Sequence, residues 1–450
     1  MNWKQLCESE RLNLKKKEVK LIFKMPRNAK VHIANTLFCS AMMVSGCSFA
    51  QGSTPTLSTQ QVNEDIREFT ELLKQRYAYL DKKNVHQASF DACLQKQVSQ
   101  IKTVNALSGH LNHCFEFFYD QHSEIRPRPR DYYLPMPTAL TMWAEVKSET
   151  AVITSIPHNG YAFRVGFRAG MTIEKINGKA VFDAIKAANV SGQQNAQTWV
   201  LNRLLTGTRN QTMTVTVKWQ GQLQTLTIDT KQVVDEIIKE KPILTSEWIG
   251  DIAYIRPENS LGNNALIPAF DEALAKYKEA SALILDLRNT PSGGNSDVAR
   301  GIMSRFISER FPYQEHELVA VEREFGVKRR WQEFVYPRGD KTFTKPLVVL
   351  SNRWTGSMGE GMTIGLHGMQ RATVIGTPMA QLLGAISGHT LTHSQLNVVI
   401  PVEKLFHING TPREAFLPDI VIDHVDNIEN EDLALKAGLR HLSKLASKTN

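Results

Sequence analysis

Most of the sequence has a low net charge. Residues 1–47 carry nine Lys or Arg and three Glu, a net charge of +6 out of +8 for the whole chain, which leaves +2 for residues 48–450. Nucleic-acid binding needs positive charge clustered on the folded part of a protein. The charge distribution therefore predicts that nucleic acid is not a partner. The apolar content of 42% and the charged content of 22% are those of a globular protein, and 450 residues predict two or three domains.

Cysteine is also scarce, because only Cys93 and Cys114 follow residue 47. Their spacing is not that of a zinc site, and the sequence predicts neither a metal nor a cofactor. Two cysteines in an oxidising compartment would form a disulfide, for which ~3 kcal/mol is a typical stabilisation at this loop length. The alternative is a pair of buried thiols.

A long apolar run is missing as well. Residues 31–44 are mostly apolar and uncharged, but a membrane-spanning helix needs about 20 such residues. The run follows the short basic segment 25–30 and ends at small residues. This order is typical of a secretory signal, so we interpret residues 1–47 as a leader, with Met25 as the true initiator.

The end of the leader leaves two forms of export open. Residues 44–47, with the sequence VSGC, resemble the lipobox of bacterial lipoproteins, in which Cys47 would be the acylated residue. The alternative is cleavage after Ala50, because SFA at residues 48–50 also suits a signal peptidase. We expect an exported protein of the periplasm or cell envelope, in contact with the membrane only through a lipid on Cys47.

Residues 58–136 are predicted to be mostly helical. Apolar side chains recur at helical spacing on one face, namely Val62, Ile66, Phe69, Leu72, Leu73 and Tyr77. A proline-rich segment at residues 126–137 ends this pattern and is predicted to be a linker.

Residues 138–232 change to short strands and turns. A strand at 151–156 is followed by VGFRAGM at 165–171 and IEKING at 173–178. This order resembles a PDZ domain, with Thr172 where that family often has Asp. The resemblance implies that extended peptides bind at an exposed strand edge. The alternative is a spacer or a gate with no ligand of its own.

Residues 240–450 alternate strands and helices, which predicts an α/β core. The segments 282–287 and 346–350 are almost continuously apolar, as in strands buried on both faces. We therefore expect a multidomain protein of the α/β and α+β classes, with its α/β core at the C-terminal end.

Ser357 lies just after the second of these strands, between Gly356 and Gly359, at the start of a predicted helix over 357–369. Small neighbours expose its hydroxyl, and the N-terminus of a helix directs backbone N–H groups at whatever the hydroxyl attacks. The segment is not the GxSxG motif of α/β-hydrolases, because Thr355 replaces its first Gly. A Ser before a helix is also a common N-cap, so the spacing alone leaves both roles open.

The first buried strand leads into the sequence DLRNTPSGGN at residues 286–295. A glycine pair at the carboxyl edge of a sheet leaves backbone N–H groups available to a developing oxyanion, although a plain tight turn explains it equally well. A third segment, EAFLPD, occupies residues 414–419.

Together the three segments resemble the peptidase family that includes the C-terminal processing (tail-specific) proteases and the tricorn protease. The marks of that family are a DLR-N-x-G-G strand end, an S-x-x-E nucleophile helix and a late E-G-x-G-x-x-P-D segment. The resemblance covers roughly residues 110–440. It implies a core of the Clp protease and crotonase type, spanning 240–450, with the PDZ-like domain inserted ahead of it.

The resemblance implies Ser357 as the nucleophile and His122 as its general base. Tail-specific members use a Lys, but this sequence has none between Lys345 and Lys404. Tricorn-type members use a His ahead of the PDZ domain in a D-G-H-[ST] segment, and DQHS at residues 120–123 fits this pattern except at its second residue. Other histidines that could replace it are His389, which is the next candidate, and His113, His367 and His393, which are expected to be structural or exposed.

The same resemblance implies that Glu414 holds the polar network around the base and stabilises the imidazolium. The oxyanion hole would consist of the Met358 amide and the amide of Gly293 or Gly294. The choice between the two glycines stays open, because Ser292 displaces the usual run by one residue. Ser123 is a further accessory candidate, although it follows the His that a Ser precedes in the tricorn pattern. Glu360 is expected to cap or brace the nucleophile helix.

The function that these residues imply is that of an exported serine endopeptidase acting on extended or unfolded peptides. A protein that binds peptides or hydrophobic ligands without catalysis is the main alternative, because the fold includes such members. A crotonase-like acyl-CoA enzyme is a third reading, disfavoured by the leader and by the PDZ-like segment. Peptide or protein substrates are the partners expected.

Overall fold

The computed structural model describes residues 56–81, 87–188, 195–339, 342–423, 429 and 431–449. The leader and Cys47 lie outside the described residues. Among the helices that are described, none has both the length and the apolar character needed to cross a membrane.

The N-terminal part consists of three helices and one short strand: α1 (Thr59–Arg76), α2 (Gln87–Gln95), α3 (Val104–Phe115) and β1 (Glu124–Arg126). Helix α1 begins with a capping box, in which the Ser58 hydroxyl accepts the Gln61 N–H and the Gln61 side chain accepts the Ser58 N–H. The six apolar residues predicted to share one face of this helix and its end are all buried. The helical periodicity is therefore confirmed.

A disulfide joins Cys93 of α2 to Cys114 of α3, with the two Cα atoms 5.6 Å apart. Helix α2 buries only Phe90 and Leu94, whereas α3 packs into the core through several apolar residues, so the disulfide holds α2 against the rest of the N-terminal part. This is the pair of cysteines that the sequence predicts to be bonded.

The middle part forms a twisted antiparallel sheet with helices on it. Its elements are β2 (Trp143–Lys147), β3 (Thr150–Ser155), α4 (Tyr161–Arg164), β4 (Thr172–Ile176), β5 (Lys179–Ala180), α5 (Val181–Ala187), α6 (Ala196–Leu205), β6 (Thr212–Trp219), β7 (Gln222–Asp229) and α7 (Thr230–Ile238). The strand order is β2-β3-β4-β6-β7, and β5 pairs with β4. The strands predicted near 151–156 and 173–178 are β3 and β4.

The outer edge of β2 is closed by α6. The Asn202 side chain accepts the Ala144 N–H at 3.0 Å and donates to the Ala144 carbonyl at 2.7 Å. The Thr198 hydroxyl accepts the Val146 N–H at 3.0 Å. Asn202 is fully buried. Because a side-chain amide has the donor and the acceptor of a peptide group, Asn202 takes the place that a neighbouring strand would have on this edge.

The C-terminal part holds the remaining elements: β8 (Leu244–Ile249), β9 (Ile252–Pro257), α8 (Leu266–Lys276), β10 (Ala282–Asp286), α9 (Ser296–Met303), β11 (Phe311–Glu317), α10 (Val319–Phe325), β12 (Arg330–Val335), β13 (Leu347–Ser351), α11 (Met358–Gly368), β14 (Ala372–Gly376), β15 (Ala385–Thr390), β16 (Asn397–Phe406), β17 (Ile420–Val421) and α12 (Leu433–Thr449). The main sheet has the order β17-β14-β13-β10-β9-β8 and is parallel except at β8.

Both strands that were predicted to be buried on two faces lie at the centre of this sheet. Every residue of β10 and β13 is buried. Helices α8, α9 and α11 contribute to the core on one face, and α12 covers the other. The α/β core expected for the C-terminal part is confirmed.

A second sheet, with the order β1-β16-β11-β12 and β15 on β16, joins the N-terminal part to the C-terminal part. Strand β1 pairs with β16 in the register Ile125↔Val398, and the helices α1–α3 share one hydrophobic core with β16. The proline-rich segment is therefore not a simple linker. It begins inside β1, and the Ser108 hydroxyl of α3 donates to the Pro127 carbonyl at 2.6 Å.

Replacement of Asn202 by Ala should destabilise the protein, because it leaves the Ala144 amide and carbonyl buried without partners. We expect the free energy of unfolding to fall by about 1–3 kcal/mol, measured by urea denaturation. Asn63→Ala is the control, since Asn63 is exposed on α1 and donates only to the Thr59 carbonyl of its own helix. Equal stability of the two variants would contradict the role given to Asn202.

Candidate active site

Ser357 occupies the turn between β13 and α11 in a strained backbone conformation. Its φ of 50° and ψ of −110° lie outside the regions that residues with a Cβ ordinarily adopt, a conformation that costs about 1–3 kcal/mol. The turn is held by two hydrogen bonds to backbone carbonyls: the Thr355 hydroxyl donates to the Leu287 carbonyl at 3.0 Å, and the Gly356 N–H to the Thr290 carbonyl at 3.2 Å. The strained serine is thus fixed by the end of the neighbouring strand.

The glycines around Ser357 allow the loop after β10 to pack directly on this turn. A Cβ on Gly356 would lie 2.7 Å from the Pro291 carbonyl oxygen, and one on Gly359 would lie 2.3 Å from the Thr290 hydroxyl. Only glycine permits such an approach. The small residues that the sequence shows beside Ser357 are therefore required for contact with the 290–293 loop.

Gly293, and not Gly294, faces the serine. A Cβ built on Gly293 would lie 2.5 Å from Ser357 Cβ and 3.0 Å from the Met358 nitrogen, whereas one on Gly294 would meet the backbone of Leu261. The structure thus brings Gly293, Met358 and Ser357 together. The Gly293 N–H donates to the Thr290 carbonyl at 3.0 Å, so in this conformation that amide is engaged in its own turn.

Glu360, three residues after Ser357, is fully buried and connects the serine to residues 380–384. One carboxylate oxygen accepts the Ser357 N–H at 2.9 Å and the other accepts the Leu382 N–H at 3.3 Å. Burial raises the pKa of Glu360 to about 7, against the opposing effects of Arg413 and the backbone amides. The expectation that Glu360 braces the nucleophile helix agrees with these contacts.

Arg413 lies at the same place and was missed by sequence reasoning. It is buried, its guanidinium donates to the carbonyls of Leu382 and Gly384 at 2.8 and 3.0 Å, and it lies 3.6 Å from the Glu360 carboxylate. Its only signal in the sequence is its position next to Glu414. A single Arg before an expected site residue gives no indication that it would be buried.

His122 is bonded to the same segment, residues 380–384. Its Nδ1 is 2.7 Å from the Leu383 carbonyl oxygen, which can only accept, so Nδ1 carries a proton and a neutral ring leaves the lone pair on Nε2. Removal from water, together with the charge of Arg413, lowers the pKa of His122 to about 4. The ring is thus neutral at pH 7, as a general base requires.

The connection between Ser357 and His122 runs through residues 380–384. In the described part of the chain, the Ser357 hydroxyl makes no hydrogen bond to His122. Their link is Ser357 to Glu360, Glu360 to the Leu382 amide, and the Leu383 carbonyl to His122. The structure thus links the predicted nucleophile and the predicted base through one short segment, because Glu360 bonds to Leu382 and His122 to the adjacent Leu383.

Asp120 fixes the turn that carries His122. Its carboxylate accepts the His122 N–H at 2.8 Å, the Ser123 hydroxyl at 2.6 Å and the Tyr77 hydroxyl at 3.1 Å. Ser123 is therefore directed to Asp120 in this conformation, which agrees with an accessory role at most. Asp120 was present in the DQHS segment but was not singled out from the sequence.

Glu414 follows Arg413 in a turn of 3-10 helix, Arg413–Ala415. Its carboxylate lies close enough to Tyr79 to contribute, after burial, to raising the pKa of that phenol. The Tyr79 ring in turn borders Gly384, because a Cβ there would lie 3.0 Å from it. The charge that acts most strongly on His122 is that of Arg413, the residue before Glu414.

The other histidines are bonded elsewhere. His389 and His393 lie 2.7 Å from Glu68 and Glu64 of α1, respectively. His113 lies 3.6 Å from Glu116 and is exposed, and His367 contacts His407 and Asp419 at 2.9 and 3.1 Å. These contacts agree with the structural roles expected for them. Among the described residues, no group of His, Cys, Asp and Glu side chains is suited to hold a metal ion.

The residues just before Ser357 contact the middle part of the chain. Arg353 pairs with Glu145 of β2 at 2.8 Å and lies over the Trp143 ring. The Trp354 indole N–H donates to the Leu140 carbonyl at 2.7 Å. Strand β2 and the segment before it therefore form part of the support of the nucleophile turn.

Residues 251–422 match the model of peptidase family S41. The match contains Ser357, Gly293, Arg413 and Glu414, and it begins well after His122. The protein is a serine-type peptidase, and the chain carries a peptidase family S41 domain over those residues. Peptides or proteins are therefore its substrates. No curated protein is significantly similar to it in sequence.

Solved structures of peptidases have similar folds. The crystal structure of mature CPAF has a TM-score of 0.56 and 14% sequence identity, with 86% of this chain and 96% of that chain covered. The photosystem II D1 C-terminal processing protease has a TM-score of 0.49 and 16% identity, with 84% and 98% covered. The tricorn protease has a TM-score of 0.40 and 15% identity, with 86% and 37% covered. At 14% identity, the similarity to CPAF concerns the fold alone.

Replacement of Gly293 by Ala should abolish most of the activity. The new Cβ would lie against Ser357, and Gly293 has a φ of +62°. We expect hydrolysis of fluorescently labelled casein to fall at least about tenfold, since displacement of a nucleophile by a fraction of an ångström has effects of this order.

Gly326→Ala is the matched control for this variant. Gly326 has a φ of +68°, and a Cβ there would meet nothing within 4 Å, so the control carries the backbone strain without the contact. We expect it to lose some thermal stability and to keep its activity. A similar loss of activity in both variants would show that strain alone, and not the approach of Gly293 to Ser357, is responsible.

Proposed function

We propose that this peptidase is an exported endopeptidase that cleaves extended or unfolded polypeptides through an acyl-enzyme on Ser357, with His122 as general base. The observation that carries the proposal is the pairing of a strained serine at a helix N-terminus with a neutral histidine whose free lone pair is fixed on Nε2. Ser357 is linked to Leu382 through Glu360, and His122 is bonded to the Leu383 carbonyl, so a movement of this segment would change their separation.

The chemistry of the proposal is that of acyl transfer. His122 Nε2 takes the Ser357 hydroxyl proton as the oxygen attacks the substrate carbonyl carbon. The oxyanion is stabilised by the Met358 amide, and by that of Gly293 once it leaves Thr290. The C–N bond then breaks, and the imidazolium gives its proton to the leaving amine. Water repeats the sequence and releases the second product. Glu414, next to Arg413, would stabilise the imidazolium through its negative charge.

Export is supported by the leader at residues 1–47, which the structure does not describe, and by the disulfide between Cys93 and Cys114. Disulfides persist in oxidising compartments and are rare in the cytosol. The proposed location is the periplasm or the cell envelope, and the proposed membrane contact is a lipid on Cys47. We propose extended substrates because Ser357 lies in the turn after the carboxyl end of β13 and is only half-buried.

A fluorophosphonate probe tests the nucleophile and the base together. We expect the purified protein to be labelled at Ser357, located by peptide mass spectrometry, and Ser357→Ala to lose both labelling and casein hydrolysis. His122→Ala should label at least about a hundredfold more slowly, which is the usual contribution of a general base.

His389→Ala is the matched control, because His389 was the other candidate base and its ring pairs with Glu68. We expect it to label at the wild-type rate. Slow labelling of His389→Ala with normal labelling of His122→Ala would overturn the assignment of the base. A folded wild-type protein that is not labelled at all would favour a protein that only binds its peptides.

As the pH is lowered, the labelling rate should be lost completely only near pH 4, where His122 takes up a proton. An exposed His has a pKa of about 6.5 and would lose its lone pair below that value, whereas the pKa of His122 is lowered to about 4. Because the folded state binds its proton less readily than the unfolded state, stability is complete above pH 6.5 and decreases as the pH falls towards 4. The measurement is labelling rate and thermal midpoint at each pH. A complete loss of labelling near pH 6 in folded protein would contradict the lowered pKa.

A further inference from the structure

The backbone of residues 382–384 is hydrogen-bonded to three charged or titratable side chains. Glu360 accepts the Leu382 N–H, Arg413 donates to the Leu382 and Gly384 carbonyls, and the Leu383 carbonyl accepts from His122. Consecutive peptide groups are thus bonded in turn to the nucleophile helix, to the 413–415 turn and to the base. A displacement of Glu360 or Arg413 would therefore move the acceptor that orients the His122 ring.

Stability does not explain why this pair is buried. Glu360 is fully buried and Arg413 is 3% exposed. The desolvation cost of two buried charges commonly equals or exceeds their attraction, so that apolar residues of similar volume would serve a core at least as well. The bonds that distinguish this pair from an apolar one go to the Ser357 amide and to residues 382–384. These bonds fix the positions of the Ser357 amide and of residues 382–384.

We propose that Glu360 and Arg413 are positioning residues that hold Ser357 and His122 in a fixed relation through residues 382–384. This rests on the proposed function, since it takes Ser357 as nucleophile and His122 as base. Neither residue touches substrate. Glu360 fixes the strained amide of Ser357, Arg413 fixes the carbonyl side of the segment, and their mutual attraction across 3.6 Å keeps the two halves together.

The surroundings of Glu360 leave Arg413 as its charged partner. Strand β11, which packs on the same helix, brings Gln314 and His316, and His316 pairs with Glu403 at 2.7 Å. The 290–293 loop, strand β14 and residues 380–384 bring no charged side chain. Helix α9 has Asp297 and Arg300, which pair with each other. Glu414, beside Arg413, lies near Tyr79. Protonation of Glu360 would therefore remove its attraction to Arg413.

The test compares fluorophosphonate labelling of the full-length wild type, Glu360→Gln and Arg413→Lys from pH 5.5 to 8.5. In the wild type we expect labelling to slow as the pH falls through about 7, where Glu360 takes up a proton. His122 stays neutral over this range. Glu360→Gln should label about tenfold more slowly at pH 8, because hydrogen bonds to a charged acceptor are stronger, and should show no step near pH 7.

Arg413→Lys should also label several-fold more slowly, because an ammonium cannot donate to two carbonyls as the planar guanidinium does, but it should keep a step in its pH profile. Asp271→Asn is the matched control. It breaks the pairing of Asp271 with Arg305 and Arg338 at 2.8 and 2.7 Å in the same domain. We expect this control to lower the thermal midpoint and to leave the labelling rate and its pH profile unchanged.

The outcomes separate this inference from the proposed function. A wild type that is never labelled at Ser357 would overturn the proposed function. A labelled wild type together with a Glu360→Gln variant of equal rate and equal pH profile would overturn the positioning role alone. If Glu360→Gln does not fold by circular dichroism, Arg413→Lys decides the matter, and labelling at the wild-type rate would again reject the role.

Discussion

The pairing of β1 with β16 is the constraint on which the rest of the site depends. Strand β1 has three residues and pairs with β16 around Ile125↔Val398, while β15 pairs with the opposite edge of β16 around His389↔Val398. His122 lies just before β1, and residues 380–384 end just before β15. One strand therefore fixes both His122, the proposed base, and the segment to which its ring is bonded, although they are far apart in the sequence.

The elements that could be predicted are those whose pattern is local and long. Helix α1 was evident from six apolar residues at helical spacing, and β10 and β13 from continuous apolar runs between turn residues. Ser357 could be placed because it combines three local signals: the strand before it, the small residues beside it and the helix after it. Each of these survives in the structure because the tertiary contacts reinforce the local preference.

The elements that were missed depend on contacts between distant residues. Strand β1 is too short to show an alternation and overlaps a proline-rich segment, so only its pairing with β16 defines it. Arg413 looks like a surface residue until the carbonyls of Leu382 and Gly384 are brought to it. The choice between Gly293 and Gly294 depends on which Cα meets Ser357, and a one-residue shift in a loop has no signature in composition.

The site is notable for how little charge it exposes. The lowered pKa of His122 keeps its ring neutral, and the Glu360–Arg413 pair is enclosed. In such surroundings a hydrogen bond is electrostatically stronger than in water, and so is the cost of leaving one unmade. This agrees with the bonds that the three carbonyls of residues 382–384 accept from Arg413 and His122.

The same reasoning bears on the middle part of the chain. Its outer strand β2 touches the nucleophile turn through Glu145 and Trp143, and on its edge the backbone is bonded to Asn202 and Thr198. A peptide that added to this edge would first have to displace a fully buried amide, and the strand it would move is the one that supports Arg353. Peptide binding at the β2 edge would therefore break the hydrogen bonds to Asn202 and Thr198. A middle part without a ligand of its own, which supports the turn at Ser357, would leave them intact, and this alternative requires fewer bonds to be broken.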